Sequence, residues 1–435
     1  MSSKGQLVGK QPTFHHVQTR RFSYRILLWI FLILAGLWVN NQMNRGTVQP
    51  LLMPTMTPTR SASSYLEEAK AHFDAGRIDD IDPNQPDAIK AYKKAIELDK
   101  TNAKALSDYA YLLTYASNLL ATTEQRRERL KQAMEAINQA VALAPDDSNI
   151  HAVRAFVLDW NSGFQNTPEE TQTMLSDAEQ AAVRSLQLDP NNALALAYYA
   201  EILVDQQKWT QAEQYAKQAI AAAPNVMDTH RVYGYVLESL GYYNAAIQEY
   251  LKAAENMPNL TFLYIRIGLN YRTLQVYNRA LEYFAKAAEI NQALGVKDPL
   301  PYIAIARTYS QQGEFFIAAK NAEKALSFDP TNPDTYGQLG TIYVKSRNYE
   351  GALPVLKCAV EGCKAAENEV GEVEIKGMEL STQTVAYYYL QYASVLASLN
   401  LCDQALPIQD KVLIKFPNDT VMQGIVRENR AICGK

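Results

Sequence analysis

Apolar and polar positions through the middle of the chain recur with a step far longer than the period of a strand or of a single helix. Pro190, Pro224 and Pro258 stand 34 residues apart. Ten residues after each comes a small residue (Ala200, Gly234, Gly268), twelve later a second (Ala212, Ala246, Ala280), and seven beyond that a third (Ala219, Ala253, Ala287). Two helices per interval are predicted, because fixed self-similarity at this length marks a repeated pair of elements. Small side chains are needed where the two helices cross closely, since anything larger would hold the backbones apart. Proline ends the second helix and launches the next pair. One such pair cannot bury its apolar stripe alone, so the pattern predicts a stack.

Registered on the small residues, the pattern extends to nine units. Their first-helix positions are Ala69, Ala110, Ala155, Ala200, Gly234, Gly268, Ala306, Gly340 and Ala393. Their second-helix positions are Ala88, Ala133, Ala178, Ala212, Ala246, Ala280, Ala318, Ala352 and Ala405. One unit reads His230, Tyr233, Gly234, Leu237, Ala246, Tyr250, Ala253 and Pro258. This order of large, small and aromatic residues resembles the tetratricopeptide repeat (TPR). The resemblance covers roughly residues 64–433 and implies an all-α fold, a right-handed superhelix of helix-turn-helix units that binds a protein or peptide. The units fall at 64–100, 101–147, 148–192, 193–226, 227–260, 261–297, 298–332, 333–366 and 384–419, with a capping helix at 420–435. In the cap, Val421, Ile425 and Ile432 are expected to share the inward face. The first three units carry extra loop between their helices, and Lys100, Gln292 and Lys364 stand where the closing proline belongs, so those joins should be looser.

Before the repeats, the run Ile26 to Val39 carries no charge and is bracketed by Tyr24, Trp29 and Trp38, aromatic residues of the kind that settle at a bilayer interface. A span usually takes about 20 residues, which residues 24–41 nearly supply, with Arg25 snorkelling to the interface. A cleavable signal peptide is the rival, although Asn40, Asn41 and Gln42 offer no small-residue cleavage site. Lys4, Lys10, Arg20, Arg21 and Arg25 precede the run, while only Arg45 and Arg60 follow it before the repeats. The positive-inside rule therefore puts residues 1–23 in the cytoplasm and the repeats outside, at a cell membrane. Residues 42–63, with Pro50, Pro54 and Pro58 among Ser and Thr, read as an extended stalk.

Charge narrows the partners. Residues 1–66 hold seven basic groups and no acidic one, leaving 35 basic against 46 acidic in the remainder. A solenoid that binds nucleic acid needs the opposite sign, so nucleic acid is not an expected partner. Cys358, Cys363, Cys402 and Cys433 all lie near the C-terminal end. A second helix ending near Glu361, with Gly362 as a left-handed stop, would bring Cys363 back onto Cys358. Cys402 opens the ninth unit's second helix and Cys433 closes an antiparallel final helix, so these ends should meet. The expected disulfides are Cys358–Cys363 and Cys402–Cys433, which suit an oxidising compartment, with four buried thiols as the alternative. A metal site is not expected, because no histidine lies near the cysteines.

Catalytic motifs are absent from the sequence, and neither a cofactor nor an enzyme activity is expected. His15, His16, His72, His151 and His230 are scattered, and His230 occupies a repeat slot that calls for packing. Asp80, Asp82 and Asn84 imitate the start of a calcium loop, but Gln85 and Ala91 replace its glycine and its final glutamate. Binding is the stronger expectation. First helices line the concave face of such a stack, which nominates Tyr111, Tyr115, Phe156 and Trp160 at one end and Arg231, Tyr235, Arg266, Arg272 and Arg307 in the middle. Asp159, Glu201, Asp205, Asp228 and Glu238 lie between and around them. The rings could take apolar side chains and the guanidinium groups carboxylates, or the rings could simply pack between helices. The sequence thus describes a membrane-anchored scaffold for protein or peptide partners, of the kind that aids export, folding or envelope assembly. A released holdase, or an enzyme with its site in the glutamate-rich insertion at 364–383, are the alternatives.

Overall fold

The computed structural model describes residues 22–44, 60–79, 84–165, 167–367 and 371–434. The calcium-like Asp80 and Asp82, most of the proline-rich stalk and the basic N-terminus lie outside them. Two units are distinct, residues 1–60 and 61–435. In the first, α1 (Phe22–Asn44) is a continuous helix. Its stretch Tyr24–Gln42 is long and apolar enough to cross a membrane, and its side chains are exposed.

The second unit is a stack of antiparallel helix pairs with the TPR fold. The first three pairs are α2 (Ala62–Asp74) with α3 (Ala88–Leu98), α4 (Ala103–Ala116) with α5 (Thr123–Leu143), and α6 (Ser148–Ser162) with α7 (Pro168–Leu188). Then come α8 (Ala193–Asp205) with α9 (Trp209–Ala222), α10 (Met227–Ser239) with α11 (Tyr243–Asn256), and α12 (Thr261–Thr273) with α13 (Tyr277–Ala293). The last pairs are α14 (Leu300–Gln312) with α15 (Phe315–Phe328), α16 (Pro333–Lys345) with α17 (Tyr349–Val360), and α18 (Gln383–Ser398) with α19 (Cys402–Lys415). The final helix α20 (Thr420–Ile432) lies against α18 and α19.

Local chemistry accounts for the boundaries. Asn102, Asp147, Asn192 and Asn332 each accept a backbone N–H in the first turn of the first helix that follows. Thr122 with Gln125, and Thr167 with Glu170, form reciprocal capping boxes that start the long helices α5 and α7 after their extra loop. The small residues of both helices are buried, as Ala110, Ala133, Ala200 and Ala212 show, all fully covered. A side chain at Gly268 would collide with the Phe284 ring, and one at Gly340 with Leu356. The missing proline at Gln292 lets α13 run on to Ala293 before the turn through Gly295.

Two details near the end go beyond the sequence pattern. The fold is all-α as expected, apart from one short hairpin among the described residues. The insertion after the eighth pair forms an antiparallel hairpin, β1 (Gly362–Glu367) with β2 (Gly371–Lys376), with Cys363 opposite Ile375. Valine and isoleucine alternate with polar residues in Val373-Glu374-Ile375-Lys376, which is strand patterning with Ile375 as its buried side. Met378 N–H donates to Ala359 O at 2.9 Å and Tyr389 Oη–H to Met378 O at 2.8 Å, tying the hairpin to α17 and α18. In α20 the buried residues are Met422, Val426 and Asn429, whereas Val421 and Ile432 are exposed. The inward face is thus rotated by about one residue from the expected one. Asn429 donates to Ser394 Oγ at 2.8 Å, so a polar residue occupies a place that an apolar pattern overlooks.

The disulfides are as expected. Cys358 and Cys363 are bonded with Cα atoms 4.7 Å apart, and Cys402 and Cys433 with Cα atoms 5.7 Å apart. Helix α17 stops at Glu361, and Gly362 takes φ +89°, the left-handed conformation that turns the chain back.

The stack from α2 to α13 curls until its two ends touch. Tyr115 on α4 stacks on Phe262 of α12 with ring centroids 5.6 Å apart. The Arg126 guanidinium of α5 lies 3.8 Å from Asp298, just before α14. Gly76, at φ +75° in the α2–α3 loop, sits so close to Asn259 that any side chain there would collide with it.

Candidate functional site

Curling of the stack encloses a cavity of about 510 Å³, within the range of ligand sites. First helices of five successive pairs supply its wall: Trp160 from α6, Glu201 and Asp205 from α8, Arg231 and Tyr235 from α10, Arg266 and Arg272 from α12, and Arg307 from α14. Gly163 and Phe164, in the α6–α7 loop, contribute to the lining.

Of the nine nominated groove residues, Trp160, Arg231, Tyr235, Arg266, Arg272 and Arg307 line this cavity, and Tyr111, Tyr115 and Phe156 do not. Those three belong to an aromatic block beneath it. Tyr115 and Phe156 have ring centroids 5.1 Å apart, Phe156 stacks on Tyr198 at 4.7 Å, and Tyr111 meets Tyr115 edge-on at 5.0 Å. Tyr115 and Phe156 are fully buried, and burial raises the pKa of Tyr111 and Tyr115 well above the ordinary phenol value. Both hydroxyls donate to the carboxylate of Asp228 on α10, Tyr111 at 2.7 Å and Tyr115 in a shorter contact.

Arg231 joins the block to the cavity. It is 4% exposed, and it donates to both oxygens of Glu201 at 2.6 and 2.7 Å and to Asp228 at 3.3 Å. Its guanidinium lies 5.5 Å from the centroid of Phe156 and 5.8 Å from that of Trp160. A forked, two-oxygen pair between rings fixes α8, α10 and α6 in register. Trp160 Nε1–H donates to the same Glu201 at 3.3 Å.

Farther along, Arg266 donates to Glu238 at 3.1 Å and lies 5.0 Å above the Tyr235 ring, whose hydroxyl donates to Asp205 at 2.6 Å. Arg272 differs from these. Its Nη1 is buried without a hydrogen-bond partner, and burial first, then the charge of Arg307, lowers its pKa. Arg307 is exposed and donates to Gln338 at 2.8 Å. An N–H aimed at no partner in a partly buried place is what an anion-binding arginine offers before its ligand arrives.

Asp159 on α6 is the opposite case. Its carboxylate lines the cavity, it is 4% exposed, and Oδ1 is buried without a partner. Burial, reinforced by the nearby Glu201 and Asp205, raises its pKa well above the carboxylate range. Asp205 is reached from the cavity but crowded by its neighbours, and burial pushes it up to about 6 even though the Tyr235 hydrogen bond opposes the shift.

Sequence reasoning missed Phe262, Leu300 and Ile303 on the cavity wall. Phe262 lies six residues before Gly268, the slot that Asp228 holds before Gly234, so that slot also faces inward. His230, expected to pack, is buried and bonds Pro224 O at 2.7 Å and Glu249 at 2.6 Å. Among the described residues, no group of His, Cys, Asp and Glu side chains could hold a metal ion.

Comparison with known proteins agrees on the repeat. Residues 232–259, 263–294 and 321–353 match models of the tetratricopeptide repeat. A search of curated proteins finds no match. Among solved structures, a human IFIT1 dimer with m7Gppp-AAAA aligns over 92% of this chain and 81% of its own, at TM-score 0.53 and 14% identity. TTC0263, a thermophilic TPR protein of Thermus thermophilus, aligns over 48% of this chain and 98% of its own, at TM-score 0.39 and 17% identity. YrrB, described as a TPR protein with an unusual peptide-binding site, aligns over 49% and 99%, at TM-score 0.33 and 18% identity. The class defined by fold and matched segments is a TPR solenoid. What the chain shares with the IFIT1 structure is that fold.

Proposed function

We propose that the protein is a membrane-anchored scaffold that binds a protein or peptide segment in the cavity of its TPR solenoid, by equilibrium binding rather than catalysis. The observation that carries this reading is the cavity wall itself, where Arg272 has a buried, unpartnered N–H with Arg307 beside it as a second cation. Those groups suit a carboxylate, and the wall of Phe262, Ile265, Leu269 and Ile303 suits apolar side chains. A polyanion such as RNA fits less well, because Asp159, Glu201 and Asp205 share the same enclosure and the repeats are acidic overall. The apolar helix α1 supports anchoring, and the two disulfides support an extracytoplasmic location for the repeats.

Selection from a random peptide library on the full chain in lipid nanodiscs tests the reading. Peptides carrying a carboxylate should be enriched, and Arg272→Glu should abolish their capture. Retention of capture in that variant, or preference for an oligoadenylate over every peptide, would refute it. Protease accessibility of the repeats in intact cells, with the intact mass of the protein, tests the anchor and its orientation.

A further inference from the structure

The arginines account for only one side of the cavity. On the other, Asp159, Glu201 and Asp205 line the wall near Arg231, which is fully committed to Glu201 and to Asp228 behind it, while Arg266 also acts on Asp205. Glu201 also accepts from Trp160, Asp205 from Tyr235, and Asp228 from Tyr111 and Tyr115. Asp159 alone of these four presents a buried oxygen with nothing to accept from. Such an orphan costs about 1–3 kcal/mol unless a ligand or proton satisfies it.

We propose that Asp159 and Asp205 form a subsite for a primary ammonium group, so that the ligand is bipolar, with its amine at Asp159 and its carboxylate at Arg272. This rests on the peptide-binding reading and specifies its ligand as one bearing an amine, either a free amino terminus or a lysine side chain. An ammonium has three donors and no acceptor, which matches the accepting oxygens that Asp159 and Asp205 offer once ionised. The arrangement also sets the proton balance. Asp159 is surrounded by Glu201 and Asp205 from α8 and by Arg231 from α10, and burial together with the two acidic neighbours favours its protonated form. Seating a cation favours the carboxylate, so binding drives the group toward proton release.

Calorimetric titration of the full chain in nanodiscs at pH 7 with four peptides tests this: tetraalanine, its N-acetylated form, its C-amidated form, and an N-acetylated form with one lysine. The free amine should bind at least about tenfold tighter than the acetylated peptide. That preference should vanish in Asp159→Asn, which keeps the side-chain shape. Proton release should show as a binding heat that depends on the buffer's ionisation enthalpy, for the free amine and not for the acetylated form. Recovery of affinity by the lysine-bearing peptide supports the subsite and assigns its natural source to a side chain. Equal binding of free and acetylated peptides, with loss on amidation, overturns the ammonium subsite and leaves the carboxylate reading standing. Binding of none at millimolar concentration overturns both.

Discussion

The helices from α2 to α13 and those from α14 to α20 are built from the same repeat but hold together differently. In the first set, most buried apolar residues from Ala69 to Ala287 form one continuous core, with Ala280 and Phe284 of α13 packed instead on Ala304 and Ile305 of α14, and the ends of the set meet through Tyr115 and Phe262. In the second set the core is divided into small clusters, such as Ala306 with Ile342 and Ala386 with Val426. Both disulfides lie in this second set. A repeat stack normally gains stability only from nearest neighbours. Curling adds contacts between distant pairs and makes covalent bridging unnecessary in the first set, whereas the open run relies on sulfur at its exposed end.

The largest effect is expected from opening the continuous core. Phe156→Ala removes a fully buried ring from the block beneath the cavity and should cost about 3–5 kcal/mol. Hydrogen exchange should then quicken across α2 to α13 together and stay unchanged in α18 to α20. Replacing Cys402 and Cys433 by serine opens a loop with sequence separation 31 and should cost about 3.7 kcal/mol, confined to α18 to α20. Exchange spreading into α4 or α6 would show that the two sets are one cooperative body.

The contact between the ends of the curl should be visible in pH dependence. Burial pushes Asp298 up to about 6, although the Leu300 amide, Arg126 and Asn291 all pull the other way. Between about pH 4 and 6 the folded protein holds this proton while the unfolded chain has released it, so stability falls as pH rises through that window and levels off above it. The part due to this group should approach about 2–3 kcal/mol, and Asp298→Asn should shrink the total fall by that amount while leaving the part due to Asp205 and Asp159, measured by denaturant unfolding from pH 4 to 7. The smallest effect is expected at Cys358 and Cys363, whose sequence separation is only 5. Their removal should cost about 2 kcal/mol and loosen the hairpin alone.

The helix pairs were legible in the sequence because the small residues are dictated by the crossing itself, and Gly362 announced the turn that lets Cys363 reach Cys358. The hairpin was hidden because the glutamates of the insertion read as a solvated loop and outweighed the short alternation Val373-Glu374-Ile375-Lys376. Closure of the curl was hidden for a different reason. The stacking of Tyr115 on Phe262 depends on the small rotation accumulated over several units, which no single unit encodes. For the same reason the nominated positions divided. Trp160 and the arginines face the cavity, while Tyr115 and Phe156 are covered by Phe262, Tyr198 and one another.

Closure also bears on how such a chain can change over generations. Duplication or loss of one repeat is the ordinary route by which arrays grow and shrink. Between α5 and α12 that route is barred, because one extra pair would carry Phe262 past Tyr115 and Asp298 away from Arg126. The constraint reaches the start of α16, because Phe328, Pro330 and Asn332 share clefts with Thr122 and Gln125 at the start of α5. Relatives of this protein should therefore vary in repeat number at their C-terminal side and keep the curled portion at a fixed length.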